Sequence, residues 1–313
     1  MIEERASLLR TAVRESLRAG HRAARERLLK LNRLEEDALF FPIDGSRHVG
    51  DPQQVVDAVV LDAVEDALRL RLPMIRVVGE ESIRSVRGRE YPIAVVDPVD
   101  GTKPFTHLGE CWAVVLNMLQ FSPSAGHLWI PAAGIATSTG MLVAVWEEQT
   151  VTVELIEEEA TAVTVLECEP RGDRQLSLTC VGAKAADAHR YAALRQAFPE
   201  ATVFNTGGNP VVVGVLTGDL DAIVSFDRQC SWDATYALAV DLAGGTVGAT
   251  THEEVFEGPE VLSWFRRPLQ GAADELKTVP PIVAAKDRNT YLGIIAGLSV
   301  GDRVQRAGGG SSQ

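Results

Sequence analysis

Residues 93–102 read Ile93-Ala94-Val95-Val96-Asp97-Pro98-Val99-Asp100-Gly101-Thr102. The first four are apolar and mostly β-branched, which predicts a short buried strand. Two aspartates spaced by three then interrupt it. Unpaired carboxylates beside a core are expensive, so Asp97 and Asp100 need a partner of opposite charge. Pro98 fixes one backbone angle and predicts a turn after the strand. In such a turn both carboxylates curl toward one point, and the Val99 carbonyl is a further hard oxygen. Gly101 permits a tight backbone, and the Thr102 hydroxyl can orient a water. A helix starting nearby would offer free N–H groups as a phosphate cradle.

Two more acidic clusters stand at comparable places. Gly79-Glu80-Glu81-Ser82 follows the apolar run 74–78, and Ser231-Trp232-Asp233 opens a helical pattern after the strand-like run 221–226. Each cluster alone is compatible with a solvated acidic turn or an unrelated helix cap. Together they point to a shared divalent cation. Oxygen donors without Cys or His at ligand spacing select a hard ion such as Mg2+. Two cations about 3.5–4 Å apart could activate water and stabilise a leaving oxygen in an in-line displacement.

Around these clusters the chain is patterned throughout. Residues 4–31 carry Leu8, Leu9, Val13, Leu17, Leu28 and Leu29 among Arg and Glu, an amphipathic helix. Residues 55–70 show a second helical stripe. Runs 112–119, 141–146 and 151–156 predict an antiparallel sheet. The second half alternates: strand-like 176–181, 221–226 and 281–285 with helix-like 185–198, 233–243 and 289–298, an α/β arrangement. Acidic residues 157–159 and the turn 169–173 are the expected boundary. This gives 1–168 as an N-terminal α+β domain, 169–302 as a C-terminal α/β domain carrying Asp233, and 303–313 as a flexible tail.

Composition bounds the function. A chain of 313 residues, 46% hydrophobic and 23% charged, is globular. Thirty basic against 43 acidic residues leave a net charge of −13, which excludes a general binder of nucleic-acid polymers or acidic membranes. A small phosphorylated ligand stays compatible, because bound cations reverse the local sign. The four cysteines lie far apart without a C-x-x-C pair, which predicts reduced thiols. The opening Met1-Ile2-Glu3-Glu4-Arg5 shows no signal-peptide pattern, and the uncharged stretch 111–146 is broken by Pro123, Gly126 and Pro131. A cytoplasmic protein without a membrane partner is expected.

In order, Gly79-Glu80-Glu81, Asp97-Pro98-Val99-Asp100-Gly101-Thr102 and Trp232-Asp233 resemble the signature of the inositol monophosphatase superfamily, from about residue 51 to about 298. The resemblance implies a layered αβαβα sandwich and a Mg2+-dependent, lithium-sensitive phosphatase. It implies that Glu80, Asp97, Asp100 and Asp233, with the Val99 carbonyl, ligate Mg2+. Asp57 and Thr102 would position and deprotonate the attacking water. Gly101 and Thr102 would hold the phosphate, and Gly207, Gly208 and Asn209 would line the substrate side. Glu81 would be supporting.

Within the superfamily, Gly101-Thr102-Lys103-Pro104-Phe105-Thr106, Gly207-Gly208-Asn209 and Asp51-Pro52-Gln53-Gln54-Val55-Val56-Asp57 are similar to segments of the 3'(2'),5'-bisphosphate nucleotidases. Pro210, where those enzymes place a lysine, and Gln54, where they place a threonine, depart from that branch. Cys230 and Phe226 depart from the inositol-specific one. The expected activity is hydrolysis of a small phosphorylated substrate, first a 3'(2'),5'-bisphosphate nucleotide. The alternatives are an inositol, sugar or cyclitol monophosphate, and a catalytically silent protein that binds a phosphometabolite. Lys103 and His107 are candidates for substrate contact. A monomer or a homodimer is compatible with the sequence.

Overall fold

The computed structural model describes residues 2–32, 53–80, 92–101, 111–122, 127–156, 161–165, 176–181, 188–250, 253–256, 258–265 and 277–308. Helices α1 (Ile2–Asn32) and α2 (Gln53–Arg71) precede a sheet of β1 (Arg76–Gly79), β2 (Ile93–Asp100), β3 (Ala113–Ser122), β4 (His127–Thr137), β5 (Gly140–Val145), β6 (Thr150–Ile156) and β7 (Thr161–Val165). These seven strands lie side by side in chain order. Only β1 and β2 are parallel; every later pair is antiparallel.

The second half contributes β8 (Ser177–Val181), α3 (Ala188–Ala197), β9 (Thr202–Asn205), α4 (Val212–Thr217), β10 (Ala222–Ser225), α5 (Thr235–Leu242), β11 (Thr246–Ala249), β12 (Val255–Phe256), α6 (Gly258–Trp264), β13 (Ile282–Ala285) and α7 (Arg288–Gly308). Its sheet runs β12-β11-β13-β10-β8-β9 and is mixed, with β10, β8 and β9 parallel. Helix α7 continues to Gly308, into the stretch expected to be tail.

The period-2 alternation of side chains sorts this chain into layers. On β3, Val114, Leu116 and Met118 join the core under α1 and α2, whereas Ala113 and Val115 face the middle layer. Middle-layer helices α4, α5 and α6 pack between that face and Ile223, Val247, Ile282 and Ala284 of the second sheet. The sheet's far side, with Leu178, Cys180, Val224 and Val283, is covered by α3 and α7. The result is helix, sheet, helix, sheet, helix, the expected αβαβα sandwich. No helix among the described residues is long and apolar enough to cross a membrane.

Burial on α1 corrects the sequence stripe in one respect. Leu9, Val13 and Leu17 are buried with Ala6, Ala12 and Ala24, while Leu8 and Leu29 are exposed. Helix α1 is also fastened by charge: Arg18 donates to Glu154 Oε2 at 2.6 Å and Arg14 to Oε1 at 3.3 Å, on a carboxylate that is almost wholly buried.

Candidate metal centre

The strand that was expected to end at Val96 runs on to Asp100, so the two aspartates lie inside β2 and not in a turn after it. In a regular strand, residues three apart face opposite sides. Here Asp97 is opposite Val115 and Asp100 opposite Ala113, so β2 advances three residues while β3 advances two. That bulge restores the alternation and brings both carboxylates to one side. Pro98 sits within it, where a missing N–H breaks no ladder bond. Strand β1 ends opposite Val96, at Gly79, so Glu80 leaves the sheet beside the first of the aspartates.

One carboxylate oxygen from each of Glu80, Asp97 and Asp233 lies within 4.8 Å of the other two. Asp233 arrives from the turn that leads into α5. The Cys230 N–H donates to its Oδ2 at 3.3 Å. The Trp232 indole N–H donates to Glu80 Oε2 at 3.0 Å, tying the second half of the chain to the first. Asp100 is not part of the triplet, but it adjoins it. The Asn209 amide donates to Asp100 Oδ2 at 2.9 Å, and the Gly101 N–H also donates to that carboxylate.

Like charges this close repel by roughly 3 kcal/mol per pair at an effective dielectric constant of about 20. Burial, followed by Glu80, Asp100, Asp233 and Asp57, pushes the Asp97 carboxyl well above the usual carboxylate range. Burial, then Asp100 and Glu80, does the same to Asp233, against a small opposing influence of the Cys230 N–H and Lys277. Asp100 is pushed up to about 6 by burial, although its bonds from Asn209 and Gly101 act the other way. Asp100, Asp233 and Glu80 keep partial access to solvent, whereas Asp97 is buried. A hard divalent cation fits this donor set: its charge would cancel the mutual repulsion, and every donor is a carboxylate oxygen.

The remaining expected residues fall as follows. Asp57 is half-buried on α2, close enough for its charge to act on Asp97. Val99 is buried at the bulge. Gly101 takes a positive φ of 85°, and a Cβ there would meet the Cys111 carbonyl oxygen at 2.5 Å, so the turn out of β2 admits only glycine. Gly207 stands beside Asp100: a Cβ on it would lie 3.4 Å from Asp100 Oδ1. Asn209, expected on the substrate side, is instead wholly buried and bonded within the protein. Thr102, Glu81, Lys103 and His107 lie outside the described residues. The sequence reading included Trp232 in the motif but missed its indole bond to Glu80. It also missed Lys277, whose only signal in the chain is its charge.

The family model described as the inositol monophosphatase family matches residues 5–275. No curated protein sequence matches the chain significantly. Among solved structures, SuhB of Mycobacterium tuberculosis is similar at 19% identity and a TM-score of 0.59, covering 94% of this chain and 96% of its own. CysQ from Bacteroides thetaiotaomicron, a bacterial member of the inositol monophosphatase family, is 18% identical with a TM-score of 0.56, over 91% and 98% of the two chains. SaIMPase-II with bound 2'AMP is 15% identical with a TM-score of 0.51, over 92% and 97%. Likeness at these identities is likeness of fold.

Proposed function

The chain belongs to the inositol monophosphatase family of Mg2+-dependent phosphatases, and from that premise we propose that it hydrolyses the phosphomonoester of a small phosphorylated metabolite, first a 3'(2'),5'-bisphosphate nucleotide. The observation that carries the hydrolytic reading is the Glu80, Asp97 and Asp233 triplet. Those three carboxylates, with Asp100 and the Val99 carbonyl, would hold Mg2+. Bound there, Mg2+ would neutralise phosphoryl charge and lower the pKa of water. Asp57 and Thr102 are the groups assigned to orient the attacking water and accept its proton. Gly101 and Thr102 are assigned to the phosphate, and Gly207 and Gly208 to the substrate side.

The nucleotide preference rests on segments 51–57, 101–106 and 207–209 and on the 2'AMP-bound relative of the same fold. Burial of Asn209 favours the second reading, an inositol, sugar or cyclitol phosphate, because that side chain is not offered to a ligand. A silent binder is disfavoured by the complete carboxylate set. The same proposal has the protein act in the cytoplasm as a monomer or homodimer, with lithium as an inhibitor. It treats residues 1–168 and 169–302 as two units that meet at the site.

Phosphate release from adenosine 3',5'-bisphosphate and from inositol 1-phosphate, each with Mg2+, with EDTA and with lithium, tests it. Mg2+-dependent, lithium-inhibited release from the nucleotide is the expected result. Preference for the inositol ester would transfer the protein to the second reading. Release from neither, with Mg2+ bound, would refute both esters as substrates and leave a specialised substrate or silent binding.

A further inference from the structure

We propose that Asn209 is a positioning residue of the metal centre, not a substrate residue: one buried amide holds the carboxylates of both halves in their cation-binding arrangement. The inference rests on the metal-dependent reading above. Asn209 opens the short 3-10 turn Asn209–Val211 between β9 and α4 and is 0% exposed. Its Oδ1 accepts from the Tyr236 N–H at 2.9 Å. That N–H belongs to the first turn of α5, where helix donors lack internal partners and the preceding Ala234 has no side chain to cap them. The two hydrogens of its Nδ2 are shared among Asp100 Oδ2 at 2.9 Å and the carbonyls of Trp232 and Asp233 at 3.0 and 3.1 Å.

Each of these contacts fixes a different part of the centre. The bond to Asp100 holds a carboxylate carried by the first sheet. The bonds to Trp232 and Asp233 hold the backbone that presents a carboxylate from the second half. The Trp232 carbonyl also accepts from Thr235 Oγ1 at 2.9 Å, and Thr235 Oγ1 in turn accepts from Asn117 Nδ2 of β3 at 2.8 Å. The Trp232 indole then reaches Glu80. Asp100, Asp233 and Glu80 are therefore all referenced to the same amide. Only a neutral side chain with donor and acceptor side by side serves here, because a carboxylate would offer no hydrogen to Asp100.

Since both ends of the amide are engaged inside the protein, Asn209 acts on the cation and not on the substrate. Partners that orient ligating groups typically contribute about 10–100-fold to metal affinity. The test is calorimetric titration of Mg2+ into metal-free wild-type, Asn209→Ala, Asn209→Ser and Asp97→Asn proteins, at a temperature where circular dichroism shows each folded. The expected result is a Kd for Mg2+ raised about 10–100-fold in both Asn209 variants, with an unchanged KM for substrate at saturating Mg2+. A lowered Tm in EDTA with an unaltered Kd would overturn the inference and leave Asn209 a fold residue. Asp97→Asn separates the two levels: wild-type Mg2+ binding by that variant would sink the metal reading itself. If neither Asn209 variant folds, a wild-type sample labelled with 15N-asparagine decides. Its Asn209 side-chain NH2 signal should shift on Mg2+ addition, and an unmoved signal would overturn the inference.

Discussion

Replacing Asp100 by asparagine should stabilise the metal-free protein, by an amount that grows as pH rises. Burial pushes the Asp100 carboxyl from an ordinary 3.8 to about 6. Between those values the folded state binds more protons than the unfolded one, so stability falls with rising pH. At 1.36 kcal/mol per pKa unit the loss from this one group is about 3 kcal/mol, complete above pH 6. The wild-type profile alone does not isolate it. His21, on α1 and stacked on Trp112, is held down to about 4 by burial first and Arg25 second, against its backbone bond to Thr137. Its folded value lies below its ordinary 6.5, so it contributes stability that is lost as pH falls through about 6.5 to 4. That contribution has nearly the same size and the opposite sign. The difference between wild-type and Asp100→Asn profiles cancels His21 and keeps Asp100 together with its repulsion of Asp97 and Asp233. The assay is urea unfolding in EDTA from pH 4 to pH 8, with the free energy extrapolated to water. The variant should gain on the wild type by about 3 kcal/mol across that range, and saturating Mg2+ should reverse the order. A flat difference profile would refute the claim that Asp100 is a desolvated charge in the folded protein.

Asp97→Asn should abolish phosphate release and the calorimetric signal of Mg2+ while leaving the far-ultraviolet circular dichroism unchanged; retained turnover would break the metal assignment. Trp232→Phe removes the indole donor to Glu80 Oε2 and should weaken Mg2+ binding several-fold, with a stability loss of about 1–2 kcal/mol in urea unfolding. Gly101→Ala forces a side chain into a left-handed backbone and against the Cys111 carbonyl oxygen. It should cost at least about 1–2 kcal/mol in the same unfolding assay and lower kcat; wild-type behaviour in both would mean that the turn relaxes without cost.

The parts of the centre legible in sequence were those that announce themselves by charge. Glu80 and Asp97 follow apolar runs and Asp233 opens a helical pattern, and carboxylates set beside a core call for a partner of opposite charge. The parts that were not legible depend on partners distant in the chain. Asn209 falls on the substrate side by the resemblance of segment 207–209, and nothing near it in the chain shows its four bonding partners, which lie 23–109 residues away. Pro98, with its fixed backbone angle, predicts a turn after the strand, yet it occupies a bulge within it. Pro131 repeats the lesson: it lies within β4 where the pairing shifts between Met118–Ala132 and Gln120–Trp129. Helix α4, Val212-Val213-Gly214-Val215-Leu216-Thr217, is short and β-branched, so its local preference ran against its structure and tertiary burial decided.

The middle layer has a consequence for how the chain is made. Val95, Val115, Ile135, Leu142 and Val153 form one side of its core, and among the described residues the fully buried side chains on its other side come from residue 212 onward. During synthesis, which delivers the N-terminal half first, this sheet emerges with one apolar face bare until α4, α5 and α6 follow. The half that carries most of the carboxylates is thus the half that depends on the ribosome finishing its work. A chain stalled after β7 presents a sticky, greasy surface and an incomplete metal centre at once, so a protein cut short there would be cleared or aggregate before it could sequester a cation.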